Sequence, residues 1–195
     1  MKKVVKFLSG LPKNLLNRSY NFSVFKRWNV KFLKFPQING RIVIRGKGVS
    51  FGVNVTINSD STKNPVGISS RTMFYSIGDG VINIGNNVGI STSLLYAKNH
   101  IKVEDEVLIG GGCQILDNDF HSLDYQQRIN SENENIKSAP IIIKKGAFIG
   151  ASSIILKGVI IGERSIIAAG SVVSKSVPSG EIWGGNPAKF IKTVS

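Results

Sequence analysis

The sequence contains few of the residues that build disulfide frameworks and metal centres. It has one cysteine, Cys113, and two histidines, His100 and His121, among 195 residues. A single cysteine cannot form an internal disulfide, which is typical of proteins from a reducing compartment. Two histidines are also too few for a zinc centre with three histidine ligands. We therefore expect neither a zinc hydrase nor a bound metal.

Long apolar runs are absent as well. No segment approaches the roughly 20 residues that a membrane-spanning helix needs. Lys6, Pro12 and Lys13 interrupt the apolar start of the chain, and no small-residue cleavage site of a secretory signal follows. The sequence therefore predicts a cytoplasmic protein. Its length and its apolar content of 42% predict one globular domain with appendages.

Acidic residues are missing from the first part of the chain. Asp60 is the first of them, and twelve of the 25 lysines and arginines precede it. Aromatic residues are interleaved with these cations: Tyr20, Phe22, Phe25, Trp28, Phe32 and Phe35. Such a segment can bind the phosphates of nucleic acid, of anionic lipid or of a phosphorylated substrate.

Two interpretations of this basic segment remain open. Aromatic rings and lysines together suit a membrane interface, where rings lie at headgroup level and lysines face anionic lipid. Alternatively, the segment is a helix that packs on the domain and exposes a basic face. We expect no nucleic-acid partner, and we expect deletion of residues 1–34 to leave the core folded.

A six-residue period covers most of residues 38–176. In its strictest stretch the aliphatic residues recur without a slip: Ile143, Ile149, Ile155, Ile161, Ile167 and Val173. The period also runs from Ile84 through Tyr96 and resumes at Val103 after one extra residue. A period of six fits neither an α-helix nor a hairpin, whereas stacked units around an aliphatic column give a parallel β-helix. The strict register disfavours an ordinary β-sandwich.

Each six-residue unit of the strictest stretch begins with one aliphatic residue, followed by small and variable residues. This pattern resembles that of the hexapeptide-repeat acyltransferase family. The likeness is most specific in "AFIGASSIILKGVIIGERSIIAAGSVVSKSVPSGEIWGGNPAKFIK", residues 147–192, which is similar to the end of bacterial sugar and antibiotic O-acetyltransferases. Upstream, "RIVIRGKGVSFGVNVTIN" is similar to members that modify surface polysaccharides. The resemblance implies an all-β, left-handed parallel β-helix, which is an exception to the usual right-handed crossover.

These observations divide the chain into three segments. Residues 1–36 are a basic, aromatic-rich N-terminal arm, residues 37–176 the β-helix, and residues 177–195 a C-terminal cap segment. Inside the β-helix the period is lost for residues 117–140 and returns in phase at Ile141. An interruption of this length in a compact repeat is usually functional or disordered. Because it opens with "DNDFHSLD", we predict an active-site loop that projects from one corner.

The resemblance implies that His121 is the catalytic base in this loop. In the family such a loop closes over the acceptor site of a neighbouring subunit, and a neutral imidazole suits proton transfer near neutral pH. Asp119, Asp117 or Asp124 could orient the ring. The acidic residue that the family often has three positions before the histidine is Asn118 here. The orienting carboxylate therefore stays open, with Asp119 preferred.

Structural roles are expected for the other two chemically active side chains. His100 lies where one extra residue offsets the period, so we expect it at a coil corner; the alternative is that it lines the same cleft as His121. Cys113 occupies a small position of the unit "IGGGCQ" that points into the column. We therefore expect a buried thiol and not a nucleophile.

The resemblance also implies a donor site in the groove between adjacent β-helices, with acetyl-CoA as co-substrate. The N–H of Ala151 would stabilise the oxygen that becomes negative during acyl transfer. Phe148 and Ile149 would flank the pantetheine arm. Four further residues would contact the rest of coenzyme A: Ala169, Ser174, Lys175 and Lys189, of which the last would lie near a phosphate. For the two lysines, plain solvent exposure is the alternative.

Together these features predict an acetyl-CoA-dependent O-acetyltransferase that modifies a sugar hydroxyl by direct transfer. A basic, aromatic arm would suit a lipid-linked glycan at the inner face of a bacterial membrane, as in O-antigen or capsule modification. Because groove and loop both need a neighbour, the resemblance implies a homotrimer. Two alternatives remain: transfer to a soluble sugar nucleotide, amino acid or antibiotic, and a non-catalytic scaffold that binds an anionic surface. The sequence does not distinguish O- from N-acetylation.

Overall fold

A computed structural model of the protein describes residues 13–60, 65–66, 71–130 and 136–194. Residues 1–12 of the predicted arm, residues 131–135 of the predicted loop and Ser195 of the predicted cap lie outside the described residues. The described chain winds as six triangular coils of short strands, with a helix before them and a hairpin after them. The predicted parallel β-helix is therefore confirmed.

Three sheets form the faces of this prism. Sheet A contains β1 (Lys31–Phe32), β4 (Val49–Phe51), β7 (Val81–Ile84), β10 (His100–Val103), β13 (Ile141–Ile143) and β16 (Ile160–Ile161). Sheet B contains β2 (Gln37–Gly40), β5 (Thr56–Ser59), β8 (Gly89–Ser91), β11 (Leu108–Ile109), β14 (Phe148–Ile149), β17 (Ile166–Ile167), β19 (Glu181–Gly185) and β20 (Ala188–Thr193). Sheet C contains β3 (Val43–Arg45), β6 (Met73–Ser76), β9 (Leu94–Ala97), β12 (Gln114–Leu116), β15 (Ile154–Leu156) and β18 (Val172–Val173). We call the turns that lead from one sheet to the next corners AB, BC and CA.

The six-residue period places one aliphatic side chain of each strand in the interior. The residues of the strict stretch are all fully buried: Ile143, Ile149, Ile155, Ile161, Ile167 and Val173. Parallel pairing aligns them between coils, so that Ile149 lies between Ile109 and Ile167 in sheet B. Burial of an aliphatic side chain of this size contributes about 1.5–3 kcal/mol. This column therefore holds the stack of coils together.

The slip in the period has a local cause. Tyr96, which the period placed in the interior, faces outwards, and Leu95 is buried instead. Corner BC of this coil is shortened at Thr92, which has a φ of 35°. Corner CA is then longer than in a regular coil, and the register is restored where Val103 pairs with Ile143. The shortening of corner BC and the larger insertion in corner CA together account for the single extra residue in the sequence.

The N-terminal segment packs on the first coil. Helix α1 (Lys13–Arg27) buries Phe25, whose ring centroid lies 4.9 Å from that of Phe35 and 5.5 Å from that of Phe51. Strand β1 lies within the predicted arm and pairs with β4, so the coils begin before residue 37. Deletion of residues 1–34 would remove Phe25 from the core. We therefore expect that deletion to destabilise the fold, contrary to the expectation from the sequence.

The coils end in a hairpin within the predicted cap segment. Strand β19 continues sheet B by pairing in parallel with β17, and β20 then returns antiparallel to β19. Lys189 and Lys192 are exposed on β20. In the part of the chain that the structure describes, no helix is long and apolar enough to cross a bilayer.

Candidate functional site

The predicted loop leaves the β-helix at corner CA, between β12 and β13. Its two ends form a short antiparallel ribbon. The N–H of Asp119 donates to the carbonyl of Lys137 at 3.1 Å, and the N–H of Ala139 donates to the carbonyl of Asp117 at 2.9 Å. Backbone pairing therefore fixes the base of the loop, from which His121 follows.

The outer part of the loop has hydrogen bonds of its own. Helix α2 (Tyr125–Ile129) begins after Asp124, whose carboxylate accepts the N–H of Gln127 at 3.0 Å. The Nη1 group of Arg128 donates to the carbonyls of Ser122 and Leu123, at 3.0 and 2.7 Å. These bonds fold the segment after His121 back towards its start.

Two carboxylates tie the loop base to the coils on either side. Asp117 is fully buried, and its carboxylate accepts the N–H groups of Lys98 and Asn99, each at 2.8 Å. Those two residues form corner CA of the coil before the loop. Asp119 forms an ion pair with Lys157, which lies in corner CA of the coil after the loop. The loop is therefore clamped from both neighbouring coils.

His121 follows a strained turn. Its N–H donates to the carbonyl of Asp119 at 2.7 Å, which closes a three-residue γ-turn around Phe120. Phe120 has a φ of 62°, a left-handed conformation that is unfavourable for an aromatic residue. Two contacts maintain it: its N–H donates to Oδ1 of Asn118 at 2.9 Å, and its ring centroid lies 4.8 Å from that of Tyr96. The backbone of His121 is thereby fixed while its side chain is exposed.

The three candidate orienting carboxylates differ in what they already bind. Within the described part of the chain, none of them is hydrogen-bonded to the ring of His121. Asp117 is engaged with two backbone N–H groups, and Asp124 caps α2. Asp119 binds Lys157 through Oδ1, but its Oδ2 is buried without a hydrogen-bond partner among the described residues. Such an oxygen costs about 1–3 kcal/mol, so Asp119 has the strongest reason of the three to accept a ring N–H.

Corner BC carries two backbone N–H groups in a column. Ala151 and Ala169 occupy the same turn position in successive coils, because Ile149 pairs with Ile167 just before them. Neither N–H donates to an acceptor within the described residues. Gly150 lets the coils approach closely, since a Cβ there would lie 2.5 Å from the nitrogen of Ala169. Fixed N–H groups of this kind can stabilise a developing oxyanion.

The column has a closed end and an open end. Gly111 takes the equivalent position in the preceding coil, where it is buried. A Cβ at Gly111 would lie 1.8 Å from the carbonyl oxygen of Val66, so the chain at residue 66 covers this position. The uncovered part of the corner therefore starts at Ala151 and continues through Ala169 towards the C-terminal hairpin.

The other residues predicted to bind acetyl-CoA lie in two regions, sheet B and corner CA. Phe148 is 43% exposed on the outer face of sheet B, and Lys189 is exposed on β20 of the same sheet. Ile149 is fully buried, so only its backbone can face a ligand. Ser174 and Lys175 are exposed in corner CA, which is the corner that carries the loop. The structure therefore does not bring these two residues to corner BC.

Sheet C separates the two groups of candidates within one chain. His121, Ser174 and Lys175 belong to corner CA, and Ala151 and Ala169 belong to corner BC. A strand of three residues spans about 10 Å. The base and the amide column therefore lie on different edges of the same prism.

The structure confirms the expected burial of Cys113. Its thiol is buried, and desolvation raises its pKa. His100 begins β10 immediately after corner CA, and its Nε2 lies 2.7 Å from Oδ1 of Asn83 in a hydrogen bond. Among residues 13–60, 65–66, 71–130 and 136–194, no group of three or more histidine, cysteine or acidic side chains is arranged to hold a metal ion.

Lys157 and Tyr96 support the loop but are not among the residues predicted from the sequence. Lys157 gave no signal, because a lysine at a coil corner normally faces solvent. Tyr96 belongs to a ladder on the outer face of sheet C: its ring stacks on that of Tyr75 at 5.8 Å, and the guanidinium of Arg45 lies 5.6 Å from the Tyr75 ring. Aromatic residues at equivalent positions of successive coils were the available signal for this ladder.

Comparisons with known proteins agree with this architecture. The profile of the family described as bacterial transferase hexapeptide (six repeats) matches residues 140–175. A mitochondrial protein of Arabidopsis thaliana, gamma carbonic anhydrase 2, is 30% identical to the chain over 160 residues. This match covers 77% of the chain and 43% of the relative, so the chain spans less than half of that relative's length.

Two solved structures share the fold over most of their length. One mutant of AntD, an N-acyltransferase from Bacillus cereus, in complex with dTDP and coenzyme A, is 25% identical with a TM-score of 0.66. The match covers 85% of this chain and 83% of the AntD chain. The polySia-specific acetyltransferase NeuO is 23% identical with a TM-score of 0.60, and the match covers 84% of this chain and 70% of NeuO.

Proposed function

We propose that this hexapeptide-repeat protein, which has the left-handed β-helix fold of the acyltransferases just described, is an acetyl-CoA-dependent O-acetyltransferase of a sugar hydroxyl. The observation that carries the proposal is the pair of N–H groups at Ala151 and Ala169, neither of which has an acceptor in the described part of the chain. These N–H groups lie along an open edge of the β-helix. AntD, which shares this fold, is described in complex with coenzyme A.

In this proposal the donor lies along corner BC and the outer face of sheet B. Ala151 donates its N–H to the thioester oxygen, and the exposed ring of Phe148 packs beside the pantetheine arm. Lys189, further along sheet B, supplies a point charge for a phosphate. Acetyl-CoA itself supplies the acetyl group, and the residues of the chain position and polarise it.

His121 acts as the general base for the acceptor. Its neutral imidazole takes the proton of the sugar hydroxyl, the hydroxyl oxygen bonds to the acetyl carbon, and the carbon–sulfur bond breaks. The departing thiolate then takes the proton from the imidazolium. Oδ2 of Asp119, which is buried and has no hydrogen-bond partner among the described residues, accepts the second ring N–H and orients the base. The transfer is direct, and the buried thiol of Cys113 does not serve as a nucleophile.

A second copy of the chain completes the site. Corner CA of one copy, with His121, Ser174 and Lys175, faces corner BC of the next copy, with Ala151 and Ala169. A contact between two different surfaces closes into a ring when the rotation fits, and three copies give a homotrimer with three sites. The loop tip supports this arrangement, because it exposes apolar side chains: Leu123, Tyr125 and Ile129.

The acceptor of this reaction is a sugar hydroxyl of a bacterial surface polysaccharide such as O-antigen or capsule. Support comes from NeuO, which is described as a polySia-specific acetyltransferase. A second candidate is a soluble sugar nucleotide, with transfer to an amine in place of a hydroxyl. AntD favours it, since it is described as an N-acyltransferase in complex with dTDP.

The test measures thiol release from acetyl-CoA with a panel of acceptors: free sugars, sugar nucleotides and extracted lipid-linked glycans. We expect acceptor-dependent release that falls by about 10²–10⁴-fold in His121→Ala. The matched control is His100→Ala, which removes the structural histidine and should retain activity. Mass spectrometry of the product separates ester from amide.

Each outcome decides between the candidates. Release with sugar nucleotides alone would replace the polysaccharide by the soluble acceptor. Binding of acetyl-CoA without any transfer would overturn the proposed acceptors. A protein that does not bind acetyl-CoA at all would be a scaffold and not a transferase.

A further inference from the structure

An apolar patch is exposed where the N-terminal segment packs on the first coil. Phe22, Phe32 and Leu33 are 56%, 40% and 79% exposed. The rings of Phe22 and Phe32 both lie beside that of Phe35, at centroid distances of 6.1 and 5.6 Å. We call Phe22, Phe32 and Leu33 the end patch. Single exposed apolar residues are normal on protein surfaces, but clustered ones indicate an interaction site.

Cations surround the end patch. Arg18 and Lys26 flank Phe22 at a spacing of four residues on the same face of α1. Lys31 and Lys34 flank Phe32 and Leu33 in the chain, and all four cations are exposed. Residues 13–59 contain no aspartate or glutamate. A partner of this surface must therefore offer both apolar groups and negative charge.

A polar cavity adjoins the end patch. Its volume is about 500 Å³, and its lining includes Lys13, Arg18 and the side chains of Asn14, Asn17 and Asn21. Arg18 and Phe35 also line the apolar hollow beside Phe22 and Phe32. Asp60 reaches the cavity as well and lies 3.6 Å from the ammonium group of Lys13. The cavity therefore offers the guanidinium of Arg18 next to apolar side chains.

We propose that the end patch is a docking surface for an anionic lipid bilayer. Leu33, Phe22 and Phe32 enter the interface between headgroups and acyl chains, and the surrounding cations face the lipid phosphates. The adjoining cavity receives a phosphate headgroup at Arg18. Nucleic acid fits less well, because it offers no apolar layer for Leu33, which is the most exposed apolar residue of the group.

This inference does not depend on the proposed reaction. It assigns a location to the protein, at a membrane surface that bears anionic lipid, whatever acceptor it uses. For an enzyme that modifies a lipid-linked glycan, such docking raises the local concentration of the acceptor. A failure of lipid binding would leave the transferase proposal intact, and a failure of transfer would leave the docking surface intact.

The first experiment is co-sedimentation of the full chain with vesicles of phosphatidylcholine, with or without phosphatidylglycerol. We expect binding to the vesicles that contain phosphatidylglycerol, with an affinity that falls as salt is raised. The double variants Phe22→Ser/Leu33→Ser and Lys31→Gln/Lys34→Gln should each weaken binding by about tenfold or more. The matched controls are Ile191→Ser and Lys192→Gln, which alter exposed residues of the C-terminal hairpin.

The second experiment reports insertion directly. Because Cys113 is buried, Leu33→Cys introduces a thiol that an environment-sensitive dye can label selectively. We expect a blue shift of the dye on anionic vesicles, and none for a dye at Ile191→Cys. Equal binding to both vesicle types, or no shift at position 33, would overturn the proposal. A third outcome would also overturn it: wild type and the apolar double variant both bind duplex RNA as well as they bind vesicles. The surface would then be a general polyanion-binding surface.

Discussion

Corners AB and BC share the same backbone turn but differ in what their amides contact. At three turns of corner AB, the N–H of the second turn residue donates to a side-chain oxygen of the next coil. The pairs are Val53 with Asn86, Asn86 with Asp105, and Glu163 with Ser179. The N–H of Lys145 donates instead to Glu104 of the preceding coil, and the N–H of Asp105 has no acceptor among the described residues. At corner BC, Ala151 and Ala169 occupy that position and their N–H groups have no acceptor within the described residues.

The difference originates in the residues and not in the backbone. The third turn residue is Ser152 at corner BC and Arg164 at corner AB, with φ values of 59° and 54°. Both corners therefore use the same left-handed backbone conformation at this position. Corner AB has asparagine, aspartate and serine side chains that reach the amides, whereas alanine and glycine dominate corner BC. Most of these amides at corner AB are therefore satisfied internally, whereas Ala151 and Ala169 of corner BC present donors to a ligand.

Replacement of the open amide should give the largest effect. Proline is favoured at the second position of such turns, so Ala151→Pro should fold while it removes the N–H. We expect acetyl transfer to fall by about 10²-fold, as when one oxyanion donor is lost. The measurement is kcat with saturating acetyl-CoA, together with thermal unfolding.

Glu163→Pro is the matched variant at corner AB. It also follows a glycine, but it removes an N–H that is already bonded to Ser179 at 3.0 Å. We expect this variant to lose about 0.5–1.5 kcal/mol of stability and to retain activity. Equal activity of the two proline variants would contradict the distinction between the corners.

A second variant tests corner CA of the coil before the loop, where the carboxylate of Asp117 accepts two backbone N–H groups. Asp117→Ala leaves the N–H groups of Lys98 and Asn99 without their acceptor, so we expect a loss of about 1–3 kcal/mol in the free energy of unfolding. Asp117→Asn keeps one acceptor and should lose less. Denaturant unfolding measures both, and an Ala variant as stable as wild type would show that these bonds do not secure the loop.

The smallest effect concerns pH at corner AB. The backbone N–H of Asn86, followed by its side-chain amide, holds the pKa of Asp105 below its usual value of about 3.9. A lowered folded pKa means that this stabilisation is present above about pH 4 and is lost as the pH falls through the folded pKa. The melting temperatures of wild type and Asp105→Ala should therefore differ at neutral pH and converge on acidification. The matched control is Asp79→Ala, which removes an exposed carboxylate that accepts no hydrogen bond within the described residues and should leave the melting temperature close to that of wild type.

The interior of the fold could be predicted from the sequence because one side chain per strand decides it. The period from Ile143 to Val173 identifies the buried column directly. It failed at Tyr96, since a shortened corner at Thr92 moves Leu95 into the column, and backbone turns leave no periodic signal. The period also did not show that the coils begin at β1.

The candidate site was predictable only in part. The interruption of the period located the loop and His121, but the roles of the aspartates depend on which coil each one reaches. Asp117 caps the preceding coil and Asp119 pairs with Lys157 of the following one, and neither contact has a sequence signal. The placement of His121 and Ala151 on different corners likewise requires the path of the chain.

The hairpin at the end of sheet B has a further consequence. A stack of parallel strands is open at its last edge and offers unpaired N–H and C=O groups to another chain. Strand β20 runs against the direction of the stack and carries Lys189 and Lys192, so a further coil of the same kind meets reversed strand polarity and charge. Helix α1 covers the first coil at the opposite end. Both features oppose growth of the β-helix end to end into a fibre.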